Sequence, residues 1–355
     1  MQSSLHILVL GASYGSLFAT KSILARHHVT LVCMQAEVEV INREGTVVIL
    51  PIRGRDEPVR VYSDQAPGKL SATTPDKVNP EDFDLIVFAM QEPQYGSSGI
   101  RELMPRIGQS RVPCLAIMNM PPFPYLERIP GLATESLQQC YASPETWREF
   151  DPRFITTASP DPQAVRPSPD VLNVLQVGLP TNFKAARFAS GHSTNMLRSL
   201  QTDIENIRFD TDDGAIRLPV KLKVHESVFV PLTKWQMLLA GNYRCVGRDD
   251  MISIKDAVHG DIDASREIYE WMRKLCVRLG AADEDLVPFH KYAEAARYLR
   301  KPSSAARALF AGVPNIERVD WLVQLISRQL GIDSAPIDPI VATVDHRLAI
   351  NRGKS

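Results

Sequence analysis

Cysteine is scarce and unpatterned: Cys33, Cys114, Cys140, Cys245 and Cys276 are spread along 355 residues with no C-x-x-C pair. An odd, scattered set of this kind excludes a zinc-ribbon spacing and a disulfide framework, and it suits reduced thiols in the cytoplasm. Net charge is nearly absent, with 40 Lys+Arg against 41 Asp+Glu. That balance leaves no electrostatic footprint for nucleic acid or an anionic membrane, so neither is expected as a partner. No apolar run approaches the roughly 18 residues of a membrane span. The start, Met1-Gln2-Ser3-Ser4, has no basic lead-in to a signal segment. Metal-ligand spacing is missing too. Asp249, Asp250, Asp256, Asp261, Asp263 and Glu267 fit no EF-hand loop and read as acids at helix starts, where the dipole favours them. A soluble cytoplasmic protein without a metal site is the expectation.

The length is too great for one ordinary core and suits two domains. Leu5 to Leu10 is an almost continuously apolar run that ends at Gly11, as a parallel strand buried on both faces would. Apolar residues then recur at helical spacing from Leu17 to Arg26, and Val29 to Cys33 is strand-like again. Strand, glycine turn, helix and strand in so short a span make a βαβ unit. The alternation continues with a strand at Asp84–Ala89, a helix at Ile100–Ile107 and a strand at Val112–Met118. Ten prolines between residues 121 and 169 mark an irregular excursion over 121–170. Strand-like segments return at Val171–Val177, Lys184–Phe188 and Lys221–Val230. From Leu232 helical patterns take over, at Leu232–Tyr243, Ser265–Leu279, Phe289–Leu299 and Glu317–Leu330, the last closed by Gly331. The fold class expected is α/β: an N-terminal Rossmann-type doubly wound sheet (1–231) followed by an all-helical domain for substrate and dimerisation (232–355).

The turn Gly11-Ala12-Ser13-Tyr14-Gly15-Ser16 keeps two glycines of a dinucleotide loop and lacks one. Such a turn lets backbone approach a pyrophosphate at a helix N-terminus, so these six residues are the expected cofactor site. After the second strand, Cys33-Met34-Gln35 offers no acid for a ribose 2′-hydroxyl. That absence favours NADP, with Arg43 as the candidate partner for the 2′-phosphate.

Several segments in order resemble the ketopantoate reductase family, which reduces 2-dehydropantoate with NADPH. Ile7–Ala19 is similar to its opening strand and loop, and Asp84–Gln91 to its D-L-I-V-x-A-x-K strand. Met118-Asn119 resembles a strand end whose asparagine lies between cofactor and substrate. Lys234–Leu239 resembles its K-W-x-K-L-L helix, and Ser303-Ser304 with Glu317–Asp320 its S-S-M…T-E-I-D segment. The resemblance implies NADPH as cofactor, Ala89, Gln91 and Asn119 beside it, and Asn119, Asn242, Ser303 or Ser304, and Glu317 around a small-molecule substrate. It also implies a cleft between the two domains and a second copy of the chain as partner. Departures matter more. The general-acid lysine of the motif falls on Met237, which has no proton to donate, and the other active-site lysine falls on Gln91. The family's asparagine falls on Gly241, one residue before Asn242. Lys234, three residues before Met237, is the candidate replacement, with Lys221, Lys223 and His225 behind it.

These features support an NADP-dependent oxidoreductase acting on the CH–OH of a small keto or hydroxy acid, or a related carbonyl, other than ketopantoate. One alternative is a non-catalytic or repurposed Rossmann protein that binds a nucleotide or metabolite. Another is an opine- or polyol-phosphate-dehydrogenase-like enzyme, since those families share the two-domain plan.

Overall fold

A computed structural model describes residues 4–353. The chain divides into two compact units. The first comprises Met1–Met90, Gln94–Met118 and Glu145–Glu226; the second comprises Gln91–Pro93, Asn119–Pro144 and Ser227–Ser355.

In the first unit, the continuously apolar runs form the centre of an eight-stranded sheet. Its strands are β1 (His6–Leu10), β2 (His28–Val32), β3 (Leu70–Thr73), β4 (Leu85–Phe88), β5 (Cys114–Ile117), β6 (Ile155–Ser159), β7 (Phe183–Ala186) and β8 (Leu222–His225). Their order is β3-β2-β1-β4-β5-β6-β7-β8. The six strands from β3 to β6 are parallel and follow the doubly wound 3-2-1-4-5-6 order; β7 runs antiparallel to β6. Ile7 to Leu10 and Leu85 to Phe88 are fully buried, which is why they carry no polar alternation. Helices α1 (Ala12–Leu24), α2 (Gln35–Glu44), α3 (Ile100–Ser110) and α4 (Gly191–Glu205) complete the α/β layers. A second sheet orders Val59–Tyr62, Val47–Leu50, Val174–Leu179 and Gln163–Val165 side by side.

Two expectations change here. The stretch 121–170 is not irregular throughout, because Ile155–Ser159 is a fully buried strand of the main sheet. Its Thr-Thr-Ala-Ser sequence hides it: the hydroxyls of Thr156 and Thr157 are satisfied by the carbonyls of Ala186 and Ala116. The strand expected over 221–230 ends at His225, and Val230–Thr233 turns as a 3₁₀ helix at Pro231, which has no N–H for a ladder.

The second unit is helical: Ile254–His259, Ile262–Leu279, Phe289–Ala296, Ser304–Phe310, Val319–Gln329 and Asp338–Arg352. Tyr269, Trp271, Met272, Leu275 and Leu279 are buried along the longest of these helices, as their spacing requires. Asp261 accepts a hydrogen bond from the Ala264 N–H, so this acid is a helix cap. The helix expected over 232–243 is broken. An α turn at Lys234–Met237 passes into a π turn at Leu238–Asn242 and then a 3₁₀ turn at Tyr243–Cys245. Among the described residues no helix is long and apolar enough to cross a membrane.

Candidate functional site

The strand order reverses between β1 and β4, and in open α/β sheets ligands bind beyond the carboxyl ends of the strands at that point. Gly11 lies there. Helix α1 already begins at Ala12, so Gly11 alone makes the turn, at φ +102°. A Cβ at this position would fall 2.9 Å from the Ala89 carbonyl oxygen and 2.6 Å from Met90 Cγ. Only glycine permits that approach. The N–H groups of Ala12, Ser13 and Tyr14, in the first turn of α1, have no intrahelical partner, and no side chain caps the helix.

The rest of the loop is occupied otherwise. A Cβ on Gly15 would lie 2.6 Å from Val9 Cγ1, so Gly15 lets helix and strand pack closely. Gly15→Val is therefore expected to lower stability by about 1–3 kcal/mol through overpacking. Urea unfolding would show this as a lower midpoint at unchanged slope. The Tyr14 hydroxyl donates to the Pro162 carbonyl at 2.7 Å, and burial keeps it protonated far above the usual phenol range. Ser16 turns its hydroxyl back to the Ala12 carbonyl. Arg43 is in the last turn of α2, two-thirds exposed and bound to its neighbour Glu44 at 2.6 Å. The guanidinium at the end of β2 is that of Arg166, paired with Glu37.

The second unit holds a small pocket of about 20 Å³, lined by Gln91, Asn119, Leu238, Asn242, Tyr243, Ser304, Ala305, Ile316 and Glu317. A volume of that size admits about one water molecule or one polar ligand group. Five of the residues expected around substrate or cofactor thus meet in one place: Gln91, Asn119, Asn242, Ser304 and Glu317. Ser303 does not line it; it caps the helix at Ser304–Phe310 and donates to the Asn242 carbonyl at 2.6 Å.

The π turn explains how Asn242 arrives there. A side chain at position 241 would collide with Tyr292, whose hydroxyl oxygen would be 1.9 Å from its Cβ. The wider turn over Leu238–Asn242 takes up one extra residue and carries the asparagine into the pocket at 242. Lys234 and Leu238 are four residues apart across the α turn, and Leu238 and Asn242 four apart across the π turn. All three therefore succeed one another along one face. Met237 is not among the pocket residues.

Glu317 is the chemical centre. It is 7% exposed, and its Oε2 accepts from Asn119 Nδ2 at 3.1 Å while its Oε1 accepts from the Glu92 N–H at 3.4 Å. Burial pushes the carboxyl above the usual range, opposed by the Asn119 bond, the N–H groups of Glu92 and Met120, and the charge of Lys234. Tyr243 fixes the backbone, donating to the Glu317 carbonyl at 2.5 Å and accepting from the Val319 N–H at 3.1 Å. Asn119 is held from behind by Trp235 Nε1 on its carbonyl at 3.3 Å, and its Oδ1 is buried without a partner. An acceptor stranded in this way calls for a ligand O–H or N–H.

Sequence reasoning missed Glu92, Trp235, Tyr243 and Arg166. Glu92 is 1% exposed and binds the Ala142 N–H with both oxygens at 3.1 Å. No local pattern marks these residues, because their partners lie 50 to 225 positions away. Lys223, considered as a substitute acid, is ion-paired with Glu205.

Neither a family model nor a curated protein sequence matches this chain. Solved structures do. A ketopantoate reductase from Ralstonia eutropha is similar at 16% identity and a TM-score of 0.62, covering 98% of this chain and 100% of that one. A dimeric ketopantoate reductase from Staphylococcus aureus covers the same shares at 10% identity and a TM-score of 0.61. A D-mandelate dehydrogenase, solved with NADH and anilino(oxo)acetate, is similar at 13% identity and a TM-score of 0.63 over 98% of this chain and 99% of that one. Over nearly its whole length, the chain has the fold of the ketopantoate reductases.

Proposed function

We propose that the chain is an NADPH-dependent oxidoreductase that interconverts a small keto acid, or a related carbonyl, with its alcohol. The observation that carries this reading is the Asn119–Glu317 pair, buried beside Gln91, Asn242 and Ser304, with Asn119 Oδ1 left as an open acceptor. The close approach at Gly11, which a Cβ would fill, and the uncapped start of α1 fit a dinucleotide pyrophosphate. Ala12 and Ser13 N–H groups would hold it, with Ala89 beneath Gly11. A bound nicotinamide supplies or accepts the hydride; this chain supplies the rest. Asn119 Oδ1 accepts the hydroxyl of the alcohol, and Gln91, Asn242 and Ser304 offer neutral hydrogen bonds to the acid group. Lys234, whose charge acts on Glu317, holds the proton at Nζ that passes to the carbonyl oxygen. Buried, free cysteines suit a reducing cytoplasm, and the dimeric neighbour supports a homodimer.

Ketopantoate is not the substrate in this proposal, because Gln91 and Met237 stand where charged groups are needed. Loss of a general acid is worth about 10²- to 10⁴-fold, so ketopantoate turnover is expected to be slow. Met237→Lys alone should not create it fully. A steady-state assay with NADPH and ketopantoate on both proteins checks this, and robust wild-type turnover would contradict it. A second reading, nucleotide binding without turnover, is favoured by the pocket volume of about 20 Å³, which admits one polar group rather than a whole substrate.

Glu317 also makes a pH signature. Its carboxyl binds a proton more readily in the folded than in the unfolded chain, since burial raises it. Its contribution is therefore present below the ordinary carboxylate range and is lost as pH rises through the folded value. Glu317→Gln removes the titration while keeping an acceptor for Asn119. Relative to wild type, the variant should gain stability over the interval that opens at the ordinary carboxylate range and runs upward in pH, read from urea midpoints. A gap that narrows over that interval would contradict the assignment.

A further inference from the structure

The second strand ends at Cys33-Met34-Gln35 without a charged residue, yet two charges stand at that spot. Glu37, in the first turn of α2, folds back so that its Oε2 accepts the Met34 N–H at 3.0 Å. Its Oε1 accepts from Arg166, which follows the edge strand Gln163–Val165 of the smaller sheet and lies 129 residues further along the chain. Both side chains are largely covered, at 21% exposure for Arg166 and 14% for Glu37. The pairing is incomplete, because Arg166 Nε is buried with no hydrogen-bond partner. Both charges are felt at the neighbouring Cys33 thiol, which burial and Glu37 raise, against Arg166, to about 12.

In a Rossmann unit, this position meets the adenosine ribose of a dinucleotide, where an acid reads the 2′-hydroxyl and an arginine the 2′-phosphate. Glu37 is an acid with both oxygens already engaged. Arg166 is a cation with an unsatisfied donor and a planar fork suited to phosphate oxygens. We propose that Arg166 is the residue that selects a 2′-phosphorylated nucleotide, and that Glu37 opposes that selection by competing for the same guanidinium. This deepens the proposed function and rests on its assignment of a dinucleotide to the first unit. The arginine comes from outside the βαβ unit. The βαβ sequence by itself therefore offers only the missing acid after β2, and not this cation.

The two side chains make opposite predictions, which separates selection from simple damage to the fold. Calorimetric titration of the whole chain with NADPH and NADH, and with 2′,5′-ADP against 5′-AMP, reads the preference as a ratio. Arg166→Gln should weaken NADPH and 2′,5′-ADP by roughly 10- to 100-fold, the range of a lost charge-assisted hydrogen bond, and leave NADH and 5′-AMP nearly unchanged. Glu37→Gln, which keeps the helix cap, should tighten the 2′-phosphorylated ligands by removing the competitor and the repulsion. If Glu37→Gln instead weakens NADH and Arg166→Gln leaves the ratio alone, the pair reads a 2′-hydroxyl and the inference is overturned. Binding of both nucleotides alike, unchanged in either variant, overturns it while leaving the oxidoreductase reading intact. If the wild type binds none of the four ligands, the inference falls together with the nucleotide site.

Discussion

On the proposed function, replacing Lys234 by alanine should lower turnover of the keto acid by about 10²- to 10⁴-fold, the usual worth of a positioned proton donor. Lys234 begins the α turn that leads into the π turn, and it shares a face with Leu238 and Asn242, both of which line the pocket. Its charge is the smallest of the influences that oppose burial at the Glu317 carboxyl. Two consequences follow from removing it. The proposed reaction loses its acid, and the Glu317 carboxyl rises further. Lys234→Arg separates the roles, because arginine keeps the charge but gives up no proton at neutral pH. The arginine variant should hold KM near the wild-type value while kcat stays low. The alanine variant should lose both. Full kcat in Lys234→Arg would show that the residue serves by charge alone.

Replacing Lys21 by methionine should stabilise the protein by about 2–3 kcal/mol near neutral pH and below, a charge-burial penalty on the order of 5 kcal/mol less the hydrogen bond that is lost. Lys21 is 2% exposed within α1, and its ammonium donates to the Pro219 carbonyl at 3.1 Å. Burial, with a smaller push from Lys221, pulls its pKa down from 10.5 to about 7. The unfolded chain therefore binds the proton more tightly than the folded one between these values. The penalty is complete below about pH 7 and fades as pH rises towards the ordinary lysine range. Methionine fills a similar volume without a charge, so the variant's advantage should be flat in acid and narrow steadily above neutrality. The lost hydrogen bond to Pro219 is the part deducted, about 1.5–3 kcal/mol for a charged donor. Val220 sits next to that carbonyl at φ +62°, a left-handed conformation that a β-branched residue rarely adopts. Urea unfolding across pH checks the sign: a variant less stable than wild type at every pH would mean that Lys21 serves as a clamp on this turn and burial costs little.

The parallel sheet could be read from the sequence because strands buried on both faces leave continuous apolar runs, as at Ile7–Leu10 and Leu85–Phe88. Ile155–Ser159 escaped because its polar side chains are satisfied by neighbouring carbonyls, a pairing that exists only once the sheet has formed. Helix α4 escaped in a similar way, with a polar sequence whose start is set by Ser190 capping the Ser193 N–H. Within the pocket, residue identity was legible and register was not. Asn242 looked displaced in a list of residues. A π turn, forced by the closeness of Gly241 to Tyr292, puts it in the pocket. The glycine loop shows the reverse case. Gly11 and Gly15 were both visible, but their separate duties, close approach to Ala89 and packing on Val9, arise only in the folded chain. Arg43 was the first cation along the chain after β2, and Arg166, 129 residues beyond Glu37, is the one that pairs with that acid.

The most direct test follows the hydride itself. NADPH deuterated at the transferable position is incubated with the protein and a set of small 2-keto acids, and the alcohol products are examined by mass spectrometry. The account predicts that at least one keto acid other than ketopantoate gains a single deuterium, in an amount that falls at least about 100-fold in Lys234→Ala. NADPH that binds, yet passes its label to none of these acids, would contradict it.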